Sequence, residues 1–159
     1  MSISTLTPPA ALASPSFSEY LHRLVHRPNQ THAARTVELF GWLMLLESPF
    51  LLALPQLFVS ALRLPELGVQ DASYLRLSGG LLSVIGMLYI ACGRLNSGPF
   101  VFASLLDRPL VPLVMAVLWW RGLMPGVIAL GFSIQDFGTF LWTLFAFRAE
   151  ARAPERSRS

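Results

Sequence analysis

Four ionisable residues stand inside stretches of sequence that are otherwise apolar: Glu47, Asp107, Arg108 and Asp136, with Gln135 beside the last of them. In lipid such side chains are costly, and they face a bundle interior or a cavity. An excess of acid over base at depth suits a proton relay, a cation site or acid–base chemistry on a lipophilic substrate. The same residues suit a structural role, in which Arg108 bridges Glu47 and Asp136, or pairs with Asp107, and so fixes which helices touch. Spacing places them at a common depth. Glu47 lies 12 positions after Arg35, and Asp136 lies 12 before Arg148. Each is then about 18 Å along a helix from that anchor at 1.5 Å per residue. Arg108 is 13 positions before Arg121, about 20 Å from the opposite side.

Further polar and small residues follow helical spacing. Asp136, Thr139 and Thr143 fall at i, i+3 and i+7, a polar stripe down one side. Gly79, Ser83 and Gly86 share a face, and small residues so spaced let helix backbones approach closely in lipid. That face reads as a packing interface, with Tyr89 one turn beyond it. Glu38 is nine residues from Glu47, half a turn away at 100° per residue, so the two point to opposite faces. Its expected role is an ion pair with Arg35 at the membrane edge. Pro49, Pro109 and Pro112 each free a carbonyl one turn earlier, which can line a polar pocket.

Known chemical signatures are few. His22 and His26 stand at i, i+4, a spacing that binds zinc on a helix, but no third ligand is near in the sequence. The single cysteine, Cys92, excludes an internal disulfide and any CxxC motif. There is no phosphate-cradling glycine loop, HExxH or GxSxG. Histidine is missing from every predicted span, against a haem held by His pairs. No cofactor and no metal are therefore expected.

The elements that position these residues follow from composition. Of 159 residues, 53% are hydrophobic and 13% charged, and the mean hydropathy is +0.55. A soluble domain carries roughly 25% charged residues, so water on all sides is a poor fit and lipid the expected solvent. The periodicity predicts an all-α integral membrane bundle of four transmembrane helices. The first runs from about 37 to 57, kinked by Pro49 and Pro55. The second covers 75 to 92, between Arg76 and Arg94, and the third begins near Phe100 and takes in Asp107 and Arg108. The fourth covers 125 to 147. Ahead of them, Ser16 and Glu19 form a capping box. Phe17, Tyr20, Leu21, Leu24 and Val25 make the apolar face of an amphipathic helix, opposite Glu19, His22, Arg23, His26 and Arg27 and ending at Pro28. Such a helix suits the headgroup layer.

The organisation expected is therefore 1–34, a disordered start (1–15) plus the interfacial helix; 35–148, the four-helix domain; and 149–159, an Arg-rich tail. Residues 1–15 carry no positive region and no sustained apolar run, so the first span is expected to act as the targeting signal. Every basic residue apart from histidine is Arg, the bias of a GC-rich bacterial genome, and the pI is about 9.8. Arg23, Arg27, Arg35, Arg94, Arg148, Arg152, Arg156 and Arg158 fall on one side, and Arg63, Arg76 and Arg121 on the other. The positive-inside rule then puts both termini in the cytoplasm, in a bacterial inner membrane. Trp119, Trp120 and Tyr74 fit an outer aromatic belt and Trp42 the inner side. The basic residues do not form the aromatic-interleaved patch of a nucleic-acid binder, so no nucleic-acid partner is expected.

The stretch Arg76-Leu-Ser-Gly-Gly, followed by Gly86 and Tyr89, resembles the second helix of DoxX-like small four-helix membrane proteins. Size and span count are similar too. The resemblance covers about a quarter of the chain and implies a four-helix membrane fold. That family includes small subunits of quinone-linked oxidoreductases. Asp107-Arg108-Pro109 and Gln135-Asp136 have no counterpart in it, and it assigns no functional residue here.

Two functions follow from these readings. The first is a non-catalytic accessory or scaffold subunit whose buried polar residues specify packing, partnered by membrane lipids and by another membrane protein or further copies of itself. The alternative is a small membrane enzyme or transporter acting on a lipophilic molecule through Glu47 and Asp136. A scaffold should close its polar network and leave no cavity beside it. An enzyme or carrier should leave a carboxylate unpaired beside an accessible pocket.

Overall fold

The computed structural model describes residues 16–26 and 29–156, with side chains as far as residue 152. The expectations for residues 1–15, Arg27, Pro28 and Arg158 lie outside the described residues. Every element among the described residues is a helix: α1 (Phe17–His26), α2 (His32–Ala53), α3 (Pro55–Ala61), α4 (Val69–Arg94), α5 (Gly98–Asp107), α6 (Leu110–Trp120) and α7 (Gly126–Arg156). Four candidate spans result, all long and apolar enough to cross a membrane: His32–Ala53, Val69–Arg94, Gly98–Trp120 and Gly126–Arg152. They alternate in direction. The start of α2, the end of α4, the start of α5 and the end of α7 share one end of the bundle, here called the terminal end. There the Thr31 backbone N–H and hydroxyl both donate to the Asn96 side chain, at 3.2 and 3.0 Å. The Ala33 N–H donates to the Glu150 carboxylate at 3.0 Å.

Local chemistry sets the boundaries. Thr31 caps α2, its hydroxyl accepting from the Ala34 N–H at 3.2 Å. Pro49 is carried inside α2, but Pro55 starts a new helix after a break at Leu54. The first predicted span is therefore two helices, not one kinked rod. The third is also divided, because Pro109 has no N–H to continue α5 and Arg108 sits at the break. The fourth runs on past Phe147 to Arg156. Tight connections between spans use left-handed residues: Arg63, Asn96 and Gly122 have φ of 55°, 54° and 69°.

The tightest seam joins α2 and α4. At Gly41 an added Cβ would lie 2.6 Å from the Gly86 carbonyl oxygen, and at Gly86 one would lie 2.9 Å from that of Gly41. At Gly79 it would meet the Leu52 nitrogen at 2.8 Å, and at Gly93 the Ala34 carbonyl at 2.8 Å. Ser48 donates to the Gly79 carbonyl at 3.0 Å and is hydrogen-bonded to Ser83. Gly79, Ser83 and Gly86 are thus on a packing face, with Gly93 continuing it. A core of Ala33, Ala34, Val37, Phe40, Tyr89 and Val101 fills the terminal half. Outward positions are strongly apolar: Leu113, Val114 and Val117 on α6, and Leu130, Ile134 and Phe145 on α7, all lie open. Such a surface fits lipid and would be a large exposed patch in water.

α1 lies against α4 at the terminal end, where the Arg94 guanidinium donates to the Leu24 carbonyl at 3.1 Å. Its apolar residues Phe17, Tyr20, Leu21 and Val25 remain exposed, and none of its residues is buried.

Candidate functional site

The predicted polar residues fall into two groups rather than one. The first is enclosed. Arg108, at the break between α5 and α6, is only 1% exposed. Its guanidinium carbon lies 4.2 Å from the centre of the Phe40 ring and 5.4 Å from that of Tyr89. Nη1 donates to the Thr143 hydroxyl at 2.9 Å and to the Thr139 carbonyl at 3.1 Å. Thr143 in turn lies 2.8 Å from the Thr36 hydroxyl, which donates either to it or to the Ala33 carbonyl, also 2.8 Å away. One guanidinium thereby ties α5 to α7 and, through Thr143 and Phe40, to α2. Cation–π contact replaces part of the hydration that a buried cation loses.

The expected ion pairs are not made. No nitrogen of Arg108 comes within 4.0 Å of a carboxylate oxygen of Glu47, Asp107 or Asp136. Arg108 Nε and Nη2 are buried with no hydrogen-bond partner among the described residues. Asp107 turns to the exposed side of α5, where the Tyr89 hydroxyl donates to it at 2.8 Å. Asp136 is buried at 7% exposure, and its carboxylate takes no hydrogen bond from a described residue.

The second group is open. Glu47, on the same face of α2 as Thr36 and Phe40, accepts a hydrogen bond from the Gln135 amide at 3.1 Å. These two polar groups lie at the wall of a cavity of about 180 Å³ whose other lining residues are Leu51, Phe58, Leu62, Val127, Ile128, Gly131 and Phe132. The cavity lies beside the junction of α2 and α3 at Leu54, and Gly131 leaves it room: an added Cβ there would meet nothing within 4 Å. The arrangement offers one carboxylate, with a free oxygen lone pair, to a donor arriving through an apolar opening.

At the terminal end Glu38 corrects an expectation. It does not face Arg35, which is exposed, but is 2% exposed itself and faces α4. It accepts from Arg94 Nε at 3.0 Å, Gln30 Nε2 at 2.8 Å and Trp42 Nε1 at 3.3 Å. Glu38 falls one helical turn from both Ala34 and Gly41, so it shares their approach to α4, where Gly93 leaves room for it. Arg35 is three residues away but on the outer side. Gln30, Thr36, Phe40 and Glu150 carry no sequence motif, and their roles emerge only from partners 50 or more residues away in most cases. The Glu38–Trp42 spacing of four was the one local signal.

Among the described residues no group of three or more His, Cys, Asp or Glu is placed to hold a metal ion. His22 and His26 stack on each other, with ring centres 4.1 Å apart. No protein-family model, no curated protein and no solved structure matches this chain.

Proposed function

We propose that this chain is a multi-pass membrane protein that binds a lipophilic molecule from the side, between α2, α3 and α7, and holds its hydrogen-bond donor on Glu47. The observation that carries this reading is the Glu47–Gln135 pair beside a laterally placed apolar cavity. Buried carboxylates that serve packing alone are expected to be enclosed and fully hydrogen-bonded. Glu47 has one side-chain donor and an open neighbour. The ligand class is a long-chain amine or alcohol, whose N–H or O–H would meet the carboxylate while its chain lies along Leu51, Phe58 and Phe132. Carriage of that molecule, or acid–base chemistry on it, are the activities the geometry suits. The resemblance to DoxX-like proteins is compatible with such a role. We place the chain in a bacterial inner membrane with both termini cytoplasmic, on the distribution of arginines.

Photolabelling tests this. A long-chain amine carrying a diazirine is added to the reconstituted protein, and the labelled residues are mapped by mass spectrometry. Labelling is expected to concentrate on Leu51, Phe58, Val127 and Phe132 and to fall about tenfold in Glu47→Gln, the loss of a charge-assisted hydrogen bond. Labels spread evenly over open positions such as Leu113 and Val114 would end the proposal.

A second reading, the non-catalytic accessory or scaffold subunit, rests on Arg108, whose enclosed contacts join three helices. Asp136→Asn and Glu47→Gln separate the two. If both variants lose their fold or a co-purifying partner in mild detergent, the scaffold reading stands; if both stay folded, the carboxylates are not needed for packing.

A further inference from the structure

At the terminal end a second, larger recess lies between the start of α2 and the end of α7. Its volume is about 650 Å³. Leu39, Trp142, Phe145 and Ala146 wall its inner part, and His32, Arg35 and Glu150 stand at its mouth. The order is that of a lipid: apolar wall toward the middle of the bundle, polar groups toward its end. Leu39, Trp142 and Phe145 are 40%, 52% and 64% exposed, so no part of the described chain covers them.

Charge decides what kind of lipid fits. Glu150 is engaged, its carboxylate taking the Ala33 N–H at 3.0 Å at the start of α2. Part of its charge therefore offsets that helix end rather than the mouth of the recess. Arg35 is exposed and makes no side-chain hydrogen bond with a described residue. On α7, Phe145, Ala149 and Arg152 follow at i, i+4 and i+7, which places Arg152 on the same face about one turn beyond the lining residue Ala149, with Arg148 beside it. Arg35 thus lines the mouth on the α2 side, and Arg152 stands just beyond the lining on the α7 side, past Glu150. Basic pockets of this kind between helices at the inner surface select anionic headgroups.

We propose that this recess is a binding site for an anionic phospholipid. The phosphodiester sits between Arg35 on α2 and Arg152 on α7, with the acyl chains along Leu39, Trp142 and Phe145. The inference rests on the reading of the bundle as a membrane protein. It is independent of the Glu47 cavity, which lies toward the other end.

Trp142 is a built-in reporter. The full chain with Trp42, Trp119 and Trp120 changed to Phe is reconstituted in phosphatidylcholine vesicles containing a small fraction of bromine-labelled lipid. Bromines on the acyl chain quench a tryptophan that they touch. Brominated phosphatidylglycerol is expected to quench Trp142 at a mole fraction about fivefold lower than brominated phosphatidylcholine, and Arg35→Gln with Arg152→Gln should erase the difference. If the Trp42 change prevents folding, the same quantity is read as the difference between the parent and Trp142→Phe. Equal quenching by the two lipids, or a preference that survives loss of both arginines, overturns the proposal. A companion protein keeping only Trp120, which is 82% exposed near the other end, separates the two levels of failure. Quenching of Trp120 by either lipid with no preference at Trp142 removes the lipid site alone. No quenching of Trp120 removes the membrane reading beneath it.

Discussion

The two faces of α2 are built by opposite means. Toward α4, contact is made mainly by removing side chains: Gly41, Gly79, Gly86 and Gly93 bring backbone against backbone, with the Glu38–Arg94 ion pair at the terminal end. Toward α7, contact is made by adding polar side chains: Thr36 meets Thr143, Glu47 meets Gln135, and Arg108 fills the space between. The first face gains van der Waals contact along its whole length, the ordinary means of association where no hydrophobic drive exists. The second holds at a few points and leaves a cavity beside one of them. A seam of the first kind resists motion. A seam of the second kind can admit a molecule, and α2–α7 is where opening of the bundle is expected.

A side chain placed in the glycine seam should cost the most. In Gly86→Leu the new side chain meets the Gly41 carbonyl oxygen and Met44 at once, and backbone cannot yield as a flexible side chain would. We expect a loss of about 3 kcal/mol or more, at the upper end for overpacking, seen as loss of the monodisperse protein in detergent. If Gly86→Leu folds with its melting temperature unchanged, the two seams do not differ as described.

Arg108→Met probes the polar seam. The variant gives up two hydrogen bonds and two ring contacts, but it also removes two buried N–H groups that lack partners. The balance is set by Asp136, left buried without a cation in reach. We expect a cost of about 2 kcal/mol, part of which returns in Arg108→Met with Asp136→Leu, because the second change removes the stranded acid. A thermal shift series on the two single variants and the double variant measures that coupling. Strict additivity would mean that Arg108 and Asp136 do not act on each other.

Ser48→Ala asks how much of the tight seam is polar. Ser48 donates to the Gly79 carbonyl and is bonded to Ser83, yet hydrogen bonds between helices in lipid contribute only about 0.6 to 2 kcal/mol. The expected loss is about 1 kcal/mol, well below that of Gly86→Leu. An equal loss would shift the credit from close packing to the serine pair.

What the sequence made legible follows the same division. The glycine face was readable because spacing alone places Gly79, Ser83 and Gly86 together, and an α4 rod from Val69 to Arg94 holds that spacing true. The four long apolar helices and the helix of residues 17–26 were readable from periodicity and composition. The polar seam was only half readable. The residue types and common depth of Glu47, Asp107, Arg108 and Asp136 pointed to the region, but depth does not fix which way each side chain faces. Asp107 and Arg108 are adjacent, yet one is exposed and the other buried. Adjacent residues of a helix stand about 100° apart, so depth does not say which of the two turns inward, nor that Phe40 and Thr143 are the contacts of Arg108.

The smallest effect on stability is the most informative for function. Gly131 lies on α7 at the cavity beside Glu47, and a side chain added there meets nothing within 4 Å. Gly131→Leu should therefore leave the fold intact, with a change of no more than about 0.5 kcal/mol, or a small gain from replacing a helix-interior glycine. Its bulk would occupy much of a 180 Å³ space, so photolabelling of Leu51 and Phe132 should fall to the level of the open surface while the melting temperature holds. That pairing of outcomes distinguishes a binding cavity from a packing fault. If the cavity were only the space left beside the end of α2, filling it would change no labelling pattern. If Gly131→Leu destabilised the protein as Gly86→Leu does, α7 would already be packed where the comparison of the two seams requires it to be open.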